Sequence, residues 1–224
     1  MKKDYLRLLS EFGLNPIDDA PLKIITDERE ITKYEKEYKK NHKGIKFSWS
    51  KIGIVLEDPY IILLRDLVEF PGGRRGGYIR MINRSALSGS QGVAILPIYN
   101  GNLVLLNNYR HSTRSWHLEI PRGMGEQNIS SKEQVRIEIA EEIGSELKNI
   151  IDLGIFYPDT GFEAQYVSLF FGEISTIGKL EIEAGISEVK FFSPSALEKA
   201  IYKGEVNDSF TIVSYFRAKL HNLL

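Results

Sequence analysis

At 224 residues the chain is long enough to bury a substantial core, and a formal net charge of −1 with a pI near 6.5 supplies no global attraction for nucleic acid or for an anionic membrane. With no cysteine there is no disulfide, no thiolate metal site and no cysteine nucleophile. The opening MKKDYLRLLSEF lacks an apolar stretch of signal-peptide length, and charged or polar residues interrupt every later apolar run, so a cytoplasmic protein without membrane spans is expected.

In chain order, DYLRLLSEFG and DEREITKYEKEYKKNHKG have helical spacing, the second highly charged and closed by Gly44. Residues 1–45 are therefore read as a helical extension whose charged faces suit packing at an edge. From Lys46 the pattern turns strand-like: KFSWSKIGIVL, YIILLRDLVEF, the glycine-rich turn PGGRRGG, then YIRMINR. This stretch, 46–85, is read as a set of amino-terminal strands. The remainder, 86–224, alternates strands and helices. GVAILPIY and LVLLNNYR flank Asn100-Gly101, a strong hairpin signal; LGIFY, YVSLFFGEI and EVKFFS are further strands, and a helical stretch runs from near Pro194. The glycine-rich turn lacks the Lys-Ser/Thr ending of a phosphate loop, and His42, His111, His117 and His221 have no metal-ligand spacing.

Between these strands lies PRGMGEQNISSKEQVRIEIAEEIG. Ser130 followed by Glu133 is a capping box that starts a helix near residue 131. Val135, Ile139 and Ile143 recur every fourth residue and are expected to pack inward, while Glu138, Glu141 and Glu142 crowd an adjacent face. Like charges at this spacing cost a helix about 0.2–0.5 kcal/mol per pair. Two readings follow: a solvated acidic face, or a cluster that a hard divalent cation holds together alongside substrate phosphates.

This segment resembles the Nudix box, with Gly123, Glu138, Ile139, Glu141, Glu142 and Gly144 on the pattern. Ile129 stands where the box has a glutamate and Ile137 where it has an arginine, so the box is degenerate. The flanks NNYRHSTRSWHLEIPRG, YPDTGFEAQYVSLFFGE and YKGEVNDSFTIVSYFRAKL, together with the strands from about residue 50, are similar to the ADP-ribose pyrophosphatase branch of that superfamily. The resemblance implies an α/β Nudix fold, a mixed sheet between helices, with amino-terminal strands and a helical extension in front. It also implies Mg2+- or Mn2+-dependent cleavage of a nucleoside diphosphate sugar, ADP-ribose foremost, by a homodimer. The alternative is a catalytically weak domain that senses a nucleotide.

By the same resemblance the metal would be held by Glu138, Glu141 and Glu142 with the backbone carbonyl of Arg122, and Glu138 and Glu142 would serve the chemistry. A late-loop glutamate would act as base or further ligand: Glu183 first, then Glu181, then Glu188. Arg110 would face the diphosphate or terminal ribose. Glu119 is either a nucleotide contact or a structural acceptor, and Arg80, within a strand, is a further candidate for substrate. Trp116 is expected in the core or as a loop anchor.

Overall fold

A computed structural model describes residues 2–11, 13, 14, 16, 17, 19–44 and 46–224; Met1, Phe12, Asn15, Asp18 and Ile45, all within the expected extension, lie outside the described residues. The chain divides into two units, Met1–Leu87 with Asp159–Gln165, and Ser88–Pro158 with Tyr166–Leu224.

The first unit begins with α1 (Lys2–Glu11), a short β1 (Lys23–Ile24) and α2 (Glu28–Asn41), the last capped by Asp27, which accepts from the backbone of Arg29 and Glu30. Three longer strands follow, β2 (Gly53–Glu57), β3 (Ile61–Glu69) and β4 (Arg75–Asn83), then one turn of helix, α3 (Arg84–Leu87). β4 pairs antiparallel with β3 along its whole length, and β2 and β1 share the other side of β3. The strand expected from Lys46 starts later, at Gly53. Before it the chain forms a turn at Phe47–Trp49, and the Arg65 guanidinium takes up the carbonyls of Ser48 and Lys51 that a sheet ladder would otherwise use.

The amino-terminal helices are not an edge ornament. Tyr5, Leu8 and Leu9 of α1 and Ile31 of α2 are buried with Ile52, Ile62, Leu64, Leu67 and Ile82, forming the apolar core of this unit. A polar tie crosses it: the Tyr5 hydroxyl donates to Asp66 at 2.7 Å, and Arg80 forms an ion pair with the same carboxylate at 2.6 Å. Residues 159–165 belong to this unit through β4, where Met81 donates to the Phe162 carbonyl and accepts from Ala164.

The second unit is built on β5 (Gly92–Tyr99), β6 (Asn102–Arg110), β7 (Ser115–Glu119), β8 (Arg122–Gly123), β9 (Ile151–Phe156), β10 (Val167–Glu173) and β11 (Ile186–Phe192). The sheet order is β11-β6-β5-β10-β9, with β7 on β6 and β8 on β5; β5 and β10 are parallel and the other pairs antiparallel. The β5–β6 hairpin closes through Asn100 and Gly101, both at positive φ (48° and 77°), as an Asn-Gly turn of the primed type requires.

The near-continuous apolar runs of β5, β6 and β10 have a direct cause: both faces of the sheet are buried. Ala94, Leu96, Leu103, Leu105, Leu169 and Phe171 face a core shared with α5 (Pro194–Tyr202) and α6 (Ser209–Leu220). Val93, Ile95, Val104, Leu106 and Phe170 face Val135, Ile139 and Ile143 of α4 (Ser131–Ile143). The carboxy-terminal helical stretch is two helices because the chain turns at Gly204 (φ 74°) and restarts at Asp208, whose carboxylate caps α6 through the Thr211 amide.

Candidate active site

α4 starts and stops where its sequence directs. Ser130 accepts from the Glu133 amide, and Gly144 ends the helix in the left-handed conformation (φ 66°), with Gly144 and Ser145 donating back to Ala140 and Ile139. A side chain at Gly144 would also meet the Lys179 backbone at 2.7 Å, and one at Gly178 would meet the Gly144 carbonyl closer still. These two glycines bring the loop 178–181 against the end of α4, where the Glu181 amide reaches the Glu142 carbonyl.

On the face of α4 beside the apolar stripe, Glu138 and Glu142 are buried, at 9% and 8% exposure, while Glu141 is exposed. A solvated acidic face is excluded for the first two. Burial, then the charge of Glu138, pushes the Glu142 carboxyl up to about 8, only partly offset by the Arg122 amide that donates to Glu142 Oε2 at 3.2 Å. The Glu138 carboxyl is also raised, first by burial and then by Glu141, Glu126 and Glu181, against the hydrogen bond from Gln134. No ion-pair partner of Glu138 or Glu142 exists among the described residues.

Gly123 completes this corner. β8 pairs Gly123 with Val93 and Arg122 with Ala94, and a Cβ on Gly123 would overlap the Glu138 carboxylate, so glycine is what lets backbone and carboxylate meet. Buried carboxylate oxygens and adjacent backbone form a donor set of the hard-oxygen kind that suits Mg2+ or Mn2+. As the side chains stand, no group of three or more His, Asp or Glu among the described residues is gathered closely enough to hold a metal ion.

Beside the acidic pair stands a second polar cluster centred on Glu119, which is 1% exposed. Its carboxylate accepts from Arg110 Nε (3.0 Å), Arg122 Nη2 (3.1 Å) and Asn108 Nδ2 (2.9 Å), and Arg110 Nη2 closes a bidentate pair. These donors engage both oxygens of the Glu119 carboxylate, an arrangement that the structural-acceptor reading calls for. Arg122 is held further by Asp208 at 3.3 Å and lies over the Phe210 ring, so its side chain is committed to the fold. Arg110 is half-exposed, its Nη1 has no partner among the described residues, and its charge acts on Glu142.

Among the late-loop glutamates, Glu181 is the one whose charge reaches Glu138, whereas Glu183, two residues on, lines an open recess with Glu141, Gly144 and Glu181. Glu188, in β11, is exposed and pairs with Lys190. Arg80 lies in the first unit, where Asp66 takes up its guanidinium. Trp116 departs from the expected core position: it is 53% exposed, because β7 pairs it with Tyr109 on an uncovered face, where the rings meet edge-on. Sequence reasoning missed Gln134 and Glu126. Gln134 carried a usable signal, since it stands four residues before Glu138 and so on the same helix face.

A scan against models of protein families finds no match, and a search of curated proteins finds no relative. Among solved structures, the chain is similar to the crystal structure of an ADP compounds hydrolase, with a TM-score of 0.64 and 17% identity over 74% of this chain and 88% of that one. At that identity the likeness is one of fold: an α/β arrangement with a mixed sheet flanked by helices.

Proposed function

We propose that this chain hydrolyses the diphosphate of a nucleoside diphosphate sugar, with Mg2+ or Mn2+, and that ADP-ribose is the leading substrate, split into a nucleoside monophosphate and a sugar phosphate. The observation that carries the reading is the buried pair Glu138 and Glu142, without a counter-cation among the described residues and with Glu138 pressed against Gly123, in a fold shared with an ADP compounds hydrolase. Glu138, Glu141, Glu142 and the Arg122 carbonyl would hold the cation, which when bound neutralises phosphate charge and lowers the pKa of coordinated water. Arg110, pre-oriented by its bidentate pair with Glu119, would offer its remaining N–H groups to a phosphate oxygen. Glu183 or Glu181 would accept the proton of the attacking water. The amino-terminal unit would support a homodimer, which light scattering would test.

A panel of nucleotide sugars incubated with and without Mg2+ or Mn2+ tests the reading. Metal-dependent release of a nucleoside monophosphate, greatly reduced in Glu142→Gln, is the expected result; absence of hydrolysis with every compound overturns it. A second reading, nucleotide sensing without turnover, draws on Ile129 and Ile137 standing where the resembling box has a glutamate and an arginine. It requires nucleotide binding by calorimetry in a protein that turns nothing over.

A further inference from the structure

The corner formed by Gly123, Glu138 and Glu142 depends on a loop, residues 123–129, keeping its place against α4. Ile129 and Ile137 are apolar where the resembling motif has an acid and a base, so those two positions cannot form an ionic tie between loop and helix. The structure supplies a neutral one. Gln134 is 2% exposed, and both ends of its amide are engaged: Oε1 accepts from the Glu126 backbone amide at 3.1 Å, and Nε2 donates to Glu138 Oε1 at 2.9 Å. The amide orientation has one solution, since a backbone N–H can only donate and an ionised carboxylate can only accept. The carbonyl of the same residue is pinned as well, by Ser90 Oγ donating to Glu126 O at 2.6 Å.

We infer that Gln134 is a positioning residue: it fixes the rotamer of Glu138 and ties the 123–126 loop to α4, so that Glu138 is aimed at a divalent cation without being neutralised. The inference rests on the metal-dependent reading above. An amide suits the task because it holds the carboxylate by one oxygen and leaves its charge intact, whereas an arginine or lysine at this distance would compete with the cation. Glu138 Oε2 has no hydrogen-bond partner among the described residues and stays available. Partners that orient a metal ligand in this way typically change metal affinity 10- to 100-fold when removed.

The test is Mn2+ binding by calorimetry on the full-length protein without substrate, comparing wild type with Gln134→Met, which keeps the side-chain length and deletes both bonds. Ser90→Ala serves as the loop control, since it frees the Glu126 carbonyl and leaves the Glu138 contact alone. The expected result is a loss of Mn2+ affinity of about tenfold or more in Gln134→Met, a smaller change in Ser90→Ala, and in turnover a raised half-saturating Mn2+ concentration with kcat at saturating metal changed much less. Folded Gln134→Met that binds Mn2+ like wild type overturns the role of Gln134 and leaves the site reading standing. Wild type that takes up no Mn2+ overturns both. Should Gln134→Met fail to fold, Gln134→Asn keeps a polar group too short to reach Glu138, and the same two outcomes decide.

Discussion

Replacing Glu142 by glutamine isolates the cost of confining its charge. Burial and the neighbouring Glu138 raise this carboxyl from the ordinary 4.5 to about 8. Below about 4.5 the group is protonated in both folded and unfolded chains; between 4.5 and about 8 the unfolded chain has released the proton while the folded one retains it. The native state then binds more protons, so stability is fully present at the acid end and is lost as pH rises through that window. At about 1.4 kcal/mol per pH unit the loss amounts to roughly 5 kcal/mol, and it belongs to the coupled pair, because Glu138 is raised too. Urea unfolding of metal-free protein at pH 5, 6, 7 and 8 measures it. Wild type should weaken across the series, and Glu142→Gln should weaken much less and be the more stable protein at pH 8. Added Mn2+ should restore wild type at pH 8 and leave the variant nearly unchanged, since the cation replaces the proton only where a charge can form. If wild type and variant lose stability in parallel from pH 5 to pH 8, the reasoning about this buried carboxylate is wrong.

Glu119→Gln should destabilise the protein by about 3–5 kcal/mol in urea unfolding, because it leaves Arg110 and Arg122 without the carboxylate that both hold. Gly123→Ala should keep a native circular dichroism spectrum yet lose Mn2+ affinity in calorimetry, since the added methyl displaces the Glu138 carboxylate. Deleting residues 1–45 should unfold the first unit: Tyr5, Leu8, Leu9 and Ile31 leave its core, at about 1.5–3 kcal/mol for each aliphatic side chain, and hydrogen exchange of β3 and β4 amides should lose protection. Tyr5→Phe should cost about 1–3 kcal/mol in urea unfolding, as Asp66 loses one of its two partners while Arg80 stays in place.

Features set by short-range geometry were legible along the chain. Ser130 and Glu133 mark the start of α4, Gly144 marks its end, Val135, Ile139 and Ile143 mark its inner face, and Asn100-Gly101 marks the hairpin; each depends on backbone sterics or on spacing within a few residues. The apolar runs of β5 and β6 read as strands, though their burial on both faces and their order in the sheet came from the structure. Partnership and burial were a different matter. Whether Glu119 meets ligand or protein depends on Asn108 and Arg110 of β6 and Arg122 of β8 converging on it, and Arg122 is held by Asp208 from the far end of the chain. Glu138, Glu141 and Glu142 look alike in sequence, yet two are buried and one exposed, because the β8 backbone and the 178–181 loop close over one side of α4. The amino-terminal helices read as a charged extension, and only the placement of Tyr5, Leu8, Leu9 and Ile31 against β3 and β4 makes them core. The physical reason is common to all three cases: a charge or an apolar side chain takes its energy from what surrounds it, and those surroundings are assembled from segments distant in sequence.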